Sequence, residues 1–236
     1  GENHNQSDKI YHQLGLEIEP IKNWKTSVDF NYRIQNSNGH NWSLPLLAYG
    51  KEGAPYYKDA NTSVQETNYR ENYLNFSART EYDLTLAKAH HFHVMGGMQI
   101  ENLKQSAFGA SRVGMMDLTK PEINLTNGLK DGVATTPDVY GYRNEWAVVG
   151  FFGRLNYDYK SRYLFEANLR SDGSSRYRKG NRWKTFPSFS LGWNIAEEKF
   201  MESSHSWLDM LKLRFSYGSL GNQNVTNWYQ TYLTIS

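Results

Sequence analysis

Three closely spaced histidines, His90, His91 and His93, are the first residues in this sequence with the type and spacing to do chemistry. On an extended chain His91 and His93 point to the same side, a spacing that can chelate a metal. A working site also needs a third ligand and groups that orient the imidazoles. Glu101 is too far along the chain to serve. The expectation is histidines on a wet face without metal. A second cluster, Arg170, Arg176, Arg178, Lys179, Arg182 and Lys184 around Asp172, could hold a phosphate-bearing surface or a partner protein. It could equally be a solvated hairpin loop in which Asp172-Gly173 makes the turn and the arginines pair with carboxylates. A third group, His40, Trp42, Tyr49, Tyr56, Tyr57 and Tyr69, carries rings that stack on sugar faces or grip a peptide, or that pack a long loop onto its neighbours. No serine stands in a G-x-S-x-G context, and "GASRVG" and "GKEG" are not phosphate loops. Glu197-Glu198 reads as a polar turn in contact with water. No catalytic residue, metal ligand or cofactor-binding residue is assigned, and an enzyme is not expected.

The elements that must position these groups are strands. Residues 24–35 set Trp24, Thr26, Val28, Phe30, Tyr32 and Ile34 on one face against Lys25, Ser27, Asp29, Asn31, Arg33 and Gln35 on the other. The same period of two runs through 10–19, 73–84, 91–101, 149–159, 162–170, 185–195 and 211–218. In 162–170, Phe165 and Leu169 share the apolar side; in 185–195, Phe189 and Leu191; in 211–218, Leu213 and Phe215. Most of these runs exceed the roughly 5–6 residues of a mean soluble strand. About eight or nine antiparallel strands in an up-and-down meander are expected, with an all-β fold.

The connections alternate. Residues 20–23, 85–90 and 160–161 are short; 36–70, 103–143 and 171–184 are long and polar; 196–209 breaks the rule with room for a helical turn. In a meander every second connection falls at the same end, so the large loops emerge together. Two architectures share these features. A transmembrane barrel pairs short turns with long outer loops and rings its apolar band with aromatics. A soluble or secreted β-sandwich, binding glycans or protein partners at its loop end, turns the same apolar faces inward.

Composition narrows the function classes. The chain has 17 Tyr, 11 Phe and 7 Trp, a set suited to boundaries between apolar and wet regions. Lys and Arg number 26 against 24 Asp and Glu, so no net field recruits nucleic acid. There is no cysteine, which excludes disulfides and thiolate metal sites. No apolar run is long enough for a transmembrane helix, a limit that leaves transmembrane strands open. The polar start "GENHNQSDKI" shows no signal-peptide pattern, and the chain is expected to be a piece of a longer one.

Residues 150–223 decide between the architectures by resemblance. Gly153-Arg154 leads into Asn156-Tyr157 and Tyr159, then Arg162-Tyr163-Leu164, then Arg170 with an Asp172-Gly173-Ser174-Ser175-Arg176 turn. Arg182-Trp183, Phe186-Pro187-Ser188, Gly192-Trp193, Glu198 and Phe200 follow, then Lys212-Leu213-Arg214, Ser216-Tyr217-Gly218 and Gly221-Asn222. This stretch closely resembles the mid-to-late barrel of SusC/RagA-type TonB-linked outer-membrane transporters. Residues 1–143 share only the strand-and-loop layout. The resemblance implies a 22-stranded barrel in the outer membrane of a Gram-negative bacterium, filled by a plug and energised through TonB. It implies import of oligosaccharides, or of other large nutrients such as peptides, beneath a SusD-like surface lipoprotein, with no cofactor. The whole of 1–236 is then expected to be a partial barrel domain, with plug and C-terminal strands absent. Phe165, Leu169, Phe189, Leu191, Leu213 and Phe215 would face membrane lipid. Trp42, Tyr49, Tyr56, Tyr57, Arg176, Arg178 and Arg182 are the loop candidates for contact with solute or lid, or with lipopolysaccharide phosphates.

Overall fold

In a computed structural model, residues 3–178, 180–204 and 206–221 are described. β-branched and aromatic side chains alternating with polar ones fit a pleated surface, and most of the described residues are in strands. The elements are β1 (Asn3–Ile21), β2 (Trp24–Ser43), β3 (Leu46–Tyr49), β4 (Pro55–Asp59), β5 (Ser63–Leu86), β6 (His90–Val113), β7 (Leu129–Lys130), β8 (Val133–Ala134), β9 (Asp138–Tyr159), β10 (Tyr163–Ser174), β11 (Trp183–Asn194) and β12 (Lys212–Gly218). One eight-stranded sheet runs in the order β1-β2-β5-β6-β9-β10-β11-β12, with β3-β4 and β7-β8 as separate hairpins. This is the expected meander.

The strands are longer, and the loops shorter, than the alternation predicts. β2 runs on to Ser43 and β5 begins at Ser63, so the first long connection is 44–62 and not 36–70; the second is 114–137. An apolar face is not required to extend a ladder once backbone pairing is under way. Polar cross-strand pairs replace it. Ser7 bonds Ser37 at 2.8 Å, Asn68 donates to Asn38 at 2.6 Å, Arg33 pairs with Glu71 at 2.5 Å, and His40 pairs with Glu66.

By contacts the chain divides into two compact units. The first comprises Gly1–Tyr11, Arg33–Tyr73 and Leu103–Glu145; the second comprises His12–Tyr32, Leu74–Asn102 and Trp146–Ser236. The first holds the two small hairpins, and its connections bond each other through Gly114 N–H to Thr62 O (2.9 Å) and Asn61 Nδ2 to Asp131 Oδ1 (3.1 Å). The second holds the tight turns. Ala87 and Lys88, and Lys160 and Ser161, are consecutive left-handed residues (φ 48 to 58°), the pairing that two-residue hairpins demand.

Neither unit has a two-layer core. Among the described residues the buried apolar side chains are Val64, Ala89 and Ala196 alone. A sandwich of this size would bury a contiguous cluster between its sheets. The sandwich alternative therefore fails.

Candidate functional site

β11 shows how the site is built. Trp183, Thr185, Pro187, Phe189, Leu191 and Trp193 are exposed, while Phe186, Ser188, Ser190, Gly192 and Asn194 between them are half-buried. The apolar side is the open one, the reverse of a water-soluble strand. Register extends the surface sideways. Phe165 pairs with Leu191 and Tyr157, and Leu191 with Phe215; Ala167 pairs with Phe189, and Phe189 with Tyr217; Tyr163 pairs with Trp193, and Trp193 with Leu213. Paired residues share a face, so the six residues Phe165, Leu169, Phe189, Leu191, Leu213 and Phe215 lie on one apolar sheet surface.

That surface is bounded by aromatics at both ends. Tyr159, Tyr163 and Trp193 mark the short-turn end. Trp183, stacked with Phe151 at 6.0 Å between ring centroids, marks the other. Ten residues along β11 at about 3.4 Å each, tilted by about 45°, span about 24 Å, the height of a barrel's lipid-facing band. The sequence reading began this strand at Thr185 and missed Trp183, although Trp183 is in phase with Thr185 and Phe189.

The short-turn rim carries a clasp that sequence reasoning also missed. Glu198 does not sit free in a polar turn. The Tyr163 hydroxyl (2.6 Å) and Trp193 Nε1 (3.0 Å) both donate to its Oε1, and Arg162 Nη1 lies 3.7 Å from its Oε2. The hydrogen bonds from Tyr163 first and Trp193 second hold this carboxyl below the usual glutamate pKa against the opposing effect of desolvation, and the Arg162 charge adds a weaker pull in the same direction. A lowered folded-state pKa gives stability that is present above the ordinary glutamate value and lost as pH falls through the lowered one. Glu198→Ala should therefore melt below the parent at neutral pH, and the gap should close on acidification. Parallel melting curves at every pH would remove the clasp.

The opposite face is polar. Asp83, His91, His93, Glu166, Lys212 and Arg214 are among the residues around a recess of about 400 Å³. Each histidine has a local partner: His90 Nδ1 bonds Tyr157 OH (2.8 Å), His91 Nδ1 bonds Thr85 Oγ1 (3.0 Å), and His93 Nδ1 pairs with Asp83 (2.9 Å). No group of three or more His, Cys, Asp or Glu placed to hold a metal occurs among the described residues.

The basic stretch is not organised as expected. Asp172 and Gly173 do not form the turn; they lie in β10, paired with Lys184 and Trp183, and the connection is 175–182. Asp172 is buried and accepts from Arg170 Nε at 2.9 Å. A Cβ on Gly173 would meet the Trp183 ring at 2.7 Å, so glycine serves here to seat the indole. Arg176 stacks on Trp146 (4.6 Å to the ring centroid), and Arg182 Nε donates to Tyr177 O at 3.0 Å. Arg178 is exposed, and Lys179 lies outside the described residues. The ring candidates do not form one loop cluster. Trp42 is part of β2, stacked with His4 (6.3 Å) and close to His40 (5.0 Å). Tyr49, Tyr56 and Tyr57 belong to the β3-β4 hairpin and are 69%, 53% and 65% exposed. Tyr49 and Tyr57 share a face with Leu47; Tyr56 faces the other way with Ala48.

A family model described as TonB dependent receptor-like, beta-barrel matches residues 2–234. The chain belongs to this family. It is 30% identical over 225 residues to TonB-dependent receptor P39 of Formosa agariphila, a match covering 95% of this chain and 20% of that protein. It is 36% identical over 159 residues to TonB-dependent receptor SusC of Bacteroides thetaiotaomicron, covering 67% of this chain and 15% of that one. A solved structure of the RagAB peptide importer in its closed-closed state superposes with a TM-score of 0.76 at 23% identity, over 95% of this chain and 24% of that one. The chain spans about a fifth of the length of curated relatives such as P39. It is part of the β-barrel of a SusC/RagA-type TonB-dependent receptor, a family of the Gram-negative outer membrane. The membrane-barrel reading of the alternating strands stands.

Proposed function

We propose that this chain forms wall and outer loops of an active outer-membrane importer for oligosaccharides or other large nutrients such as peptides. The observation that carries the proposal is the inverted exposure of β11, apolar side open and polar side crowded. A single sheet with that asymmetry fits lipid on one face and a wet lumen on the other. Phe165, Leu169, Phe189, Leu191, Leu213 and Phe215 are then the lipid-facing residues. Family membership and the kinship with SusC support uptake driven through TonB, with a SusD-like surface lipoprotein over the mouth. The mechanism is gated passage and not bond chemistry: lid and loops capture the solute, and the plug moves under mechanical pull.

Long connections facing the outside would present Tyr49 and Tyr57 on one side of the β3-β4 hairpin, and Arg178 on the 175–182 connection. Arg176 and Arg182 shape the latter through their contacts with Trp146 and Tyr177. In the whole receptor, Tyr49→Ala combined with Tyr57→Ala and Arg178→Gln should weaken retention of the surface lipoprotein, or of mixed-oligosaccharide or peptide-digest probes, about tenfold. Pull-down at stepped salt concentrations reads the first and titration calorimetry the second. Unchanged retention of all three would take these loops out of capture.

A further inference from the structure

We propose that the connection between β11 and β12, in its described residues 195–204 and 206–211, is an interfacial anchor lying in the lipid headgroup layer, with Phe200, Trp207 and Met210 in contact with lipid. The proposal rests on the reading that the apolar sheet face meets the bilayer. Direction comes from Glu198. Its two hydrogen-bond donors, Tyr163 and Trp193, pair with each other across β10 and β11, and Trp193 pairs with Leu213. All three belong to the apolar face. A connection held by that carboxylate leans to the lipid side of the rim, not across the polar recess.

Its composition fits that place. Phe200, Trp207 and Met210 are 66%, 74% and 72% exposed. The other connections at this rim are bare turns built on Asn23, on Ala87 and Lys88, and on Lys160 and Ser161, with no large apolar side chain to cover. The ends of 195–211 are pinned together, with Ile195 N–H (2.7 Å) and Ala196 N–H (3.2 Å) both donating to Leu211 O. From Leu211 the chain passes directly to Leu213, Phe215 and Tyr217, so the exposed rings continue the apolar band. Indole and phenyl rings partition to the bilayer interface, where the ring meets acyl chain and the indole N–H stays wet. Glu197, Glu198, Glu202 and Asp209 stand against Lys199, so the segment is net acidic and the fitting surface is zwitterionic, not anionic: an ethanolamine phospholipid.

The chain contains no cysteine, which makes single-cysteine spin labelling direct. The whole receptor, cysteine-free elsewhere, is placed in vesicles of phosphatidylethanolamine with a minor share of phosphatidylglycerol. Nitroxides are introduced through Trp207→Cys, Met210→Cys, Ser203→Cys and Leu213→Cys, and collisions with oxygen and with a nickel chelate are compared. The expected oxygen-to-nickel ratio at 207 and 210 is several-fold above that at 203 and approaches that at 213. Adding Glu198→Ala should return 207 and 210 to the ratio at 203, whereas Glu198→Gln, which keeps an acceptor oxygen, should not. A ratio at 207 and 210 equal to that at 203, with 213 still in lipid, overturns the anchor alone. Exclusion of both reagents at 207 and 210 overturns it too, because protein then covers the segment. A nickel-accessible 213 overturns the lipid-face reading and the anchor with it.

Discussion

An arginine in place of Phe189 is expected to destabilise the assembled barrel by about 2–4 kcal/mol, lowering the folded-to-unfolded ratio at equilibrium by roughly thirty-fold to several hundred-fold. Phe189 lies between Trp183 and Trp193 on the exposed face of β11, close to the middle of the band that they bound. On the proposed lipid face the guanidinium would stand near the bilayer centre, where no water solvates it. Phe189→Leu keeps the surface apolar and should lose only the ring contacts with Phe215 and Tyr217, at 6.1 and 5.8 Å. The decisive control is Ser190→Arg, one residue away on the half-buried polar side beside Glu166. Heat-modifiable mobility on semi-native gels, or denaturant titration in vesicles, reads the difference. Equal damage from Phe189→Arg and Ser190→Arg would mean that the two faces do not meet different solvents.

The second large effect separates two neighbouring glycines of β6. Gly97→Ala is expected to cost about 1–3 kcal/mol by overpacking, while Gly96→Ala should be neutral or slightly stabilising. A Cβ at Gly97 would stand 2.6 Å from the Ala78 carbonyl oxygen and 2.6 Å from Phe152 Cζ. The phenyl ring can shift a little; the backbone carbonyl of a paired strand cannot. At Gly96 the nearest atom is the Phe152 carbonyl oxygen at 3.9 Å, ordinary contact distance. The difference is read in denaturant midpoints at constant m-value. Equal midpoints for the two variants would show that the polar side of β6 is not packed against β5 and β9.

The same glycines mark where sequence reading stops. Gly96 and Gly97 are indistinguishable by type and neighbourhood, since the ring that crowds Gly97 arrives from Phe152, 55 positions along the chain. The extent of the strands was hidden for a related reason. Alternation is visible only where one face is apolar, and the stretches ending at Ser43 and beginning at Ser63 pair through polar side chains on both sides. Asp172-Gly173 looked like a turn because that dipeptide favours one. Pairing with Lys184 and Trp183 overrode the local preference, since the ladder supplies more bonds than the turn would. Glu198 was unreadable because its partners lie 35 and 5 residues away and meet only when β10 and β11 pair.

What the sequence settled alone is the two-faced strand, the meander and the family, because a period of two and a motif's spacing are local properties of a chain. Which face is open was decided in three dimensions. The same alternation folds into a sandwich when a second sheet is present, and here Phe165, Leu213 and Phe215 lie on a single sheet surface with no second layer across it among the described residues. Solvent preference is written residue by residue, but coverage depends on what else comes to lie across the surface, and only the assembled backbone determines that.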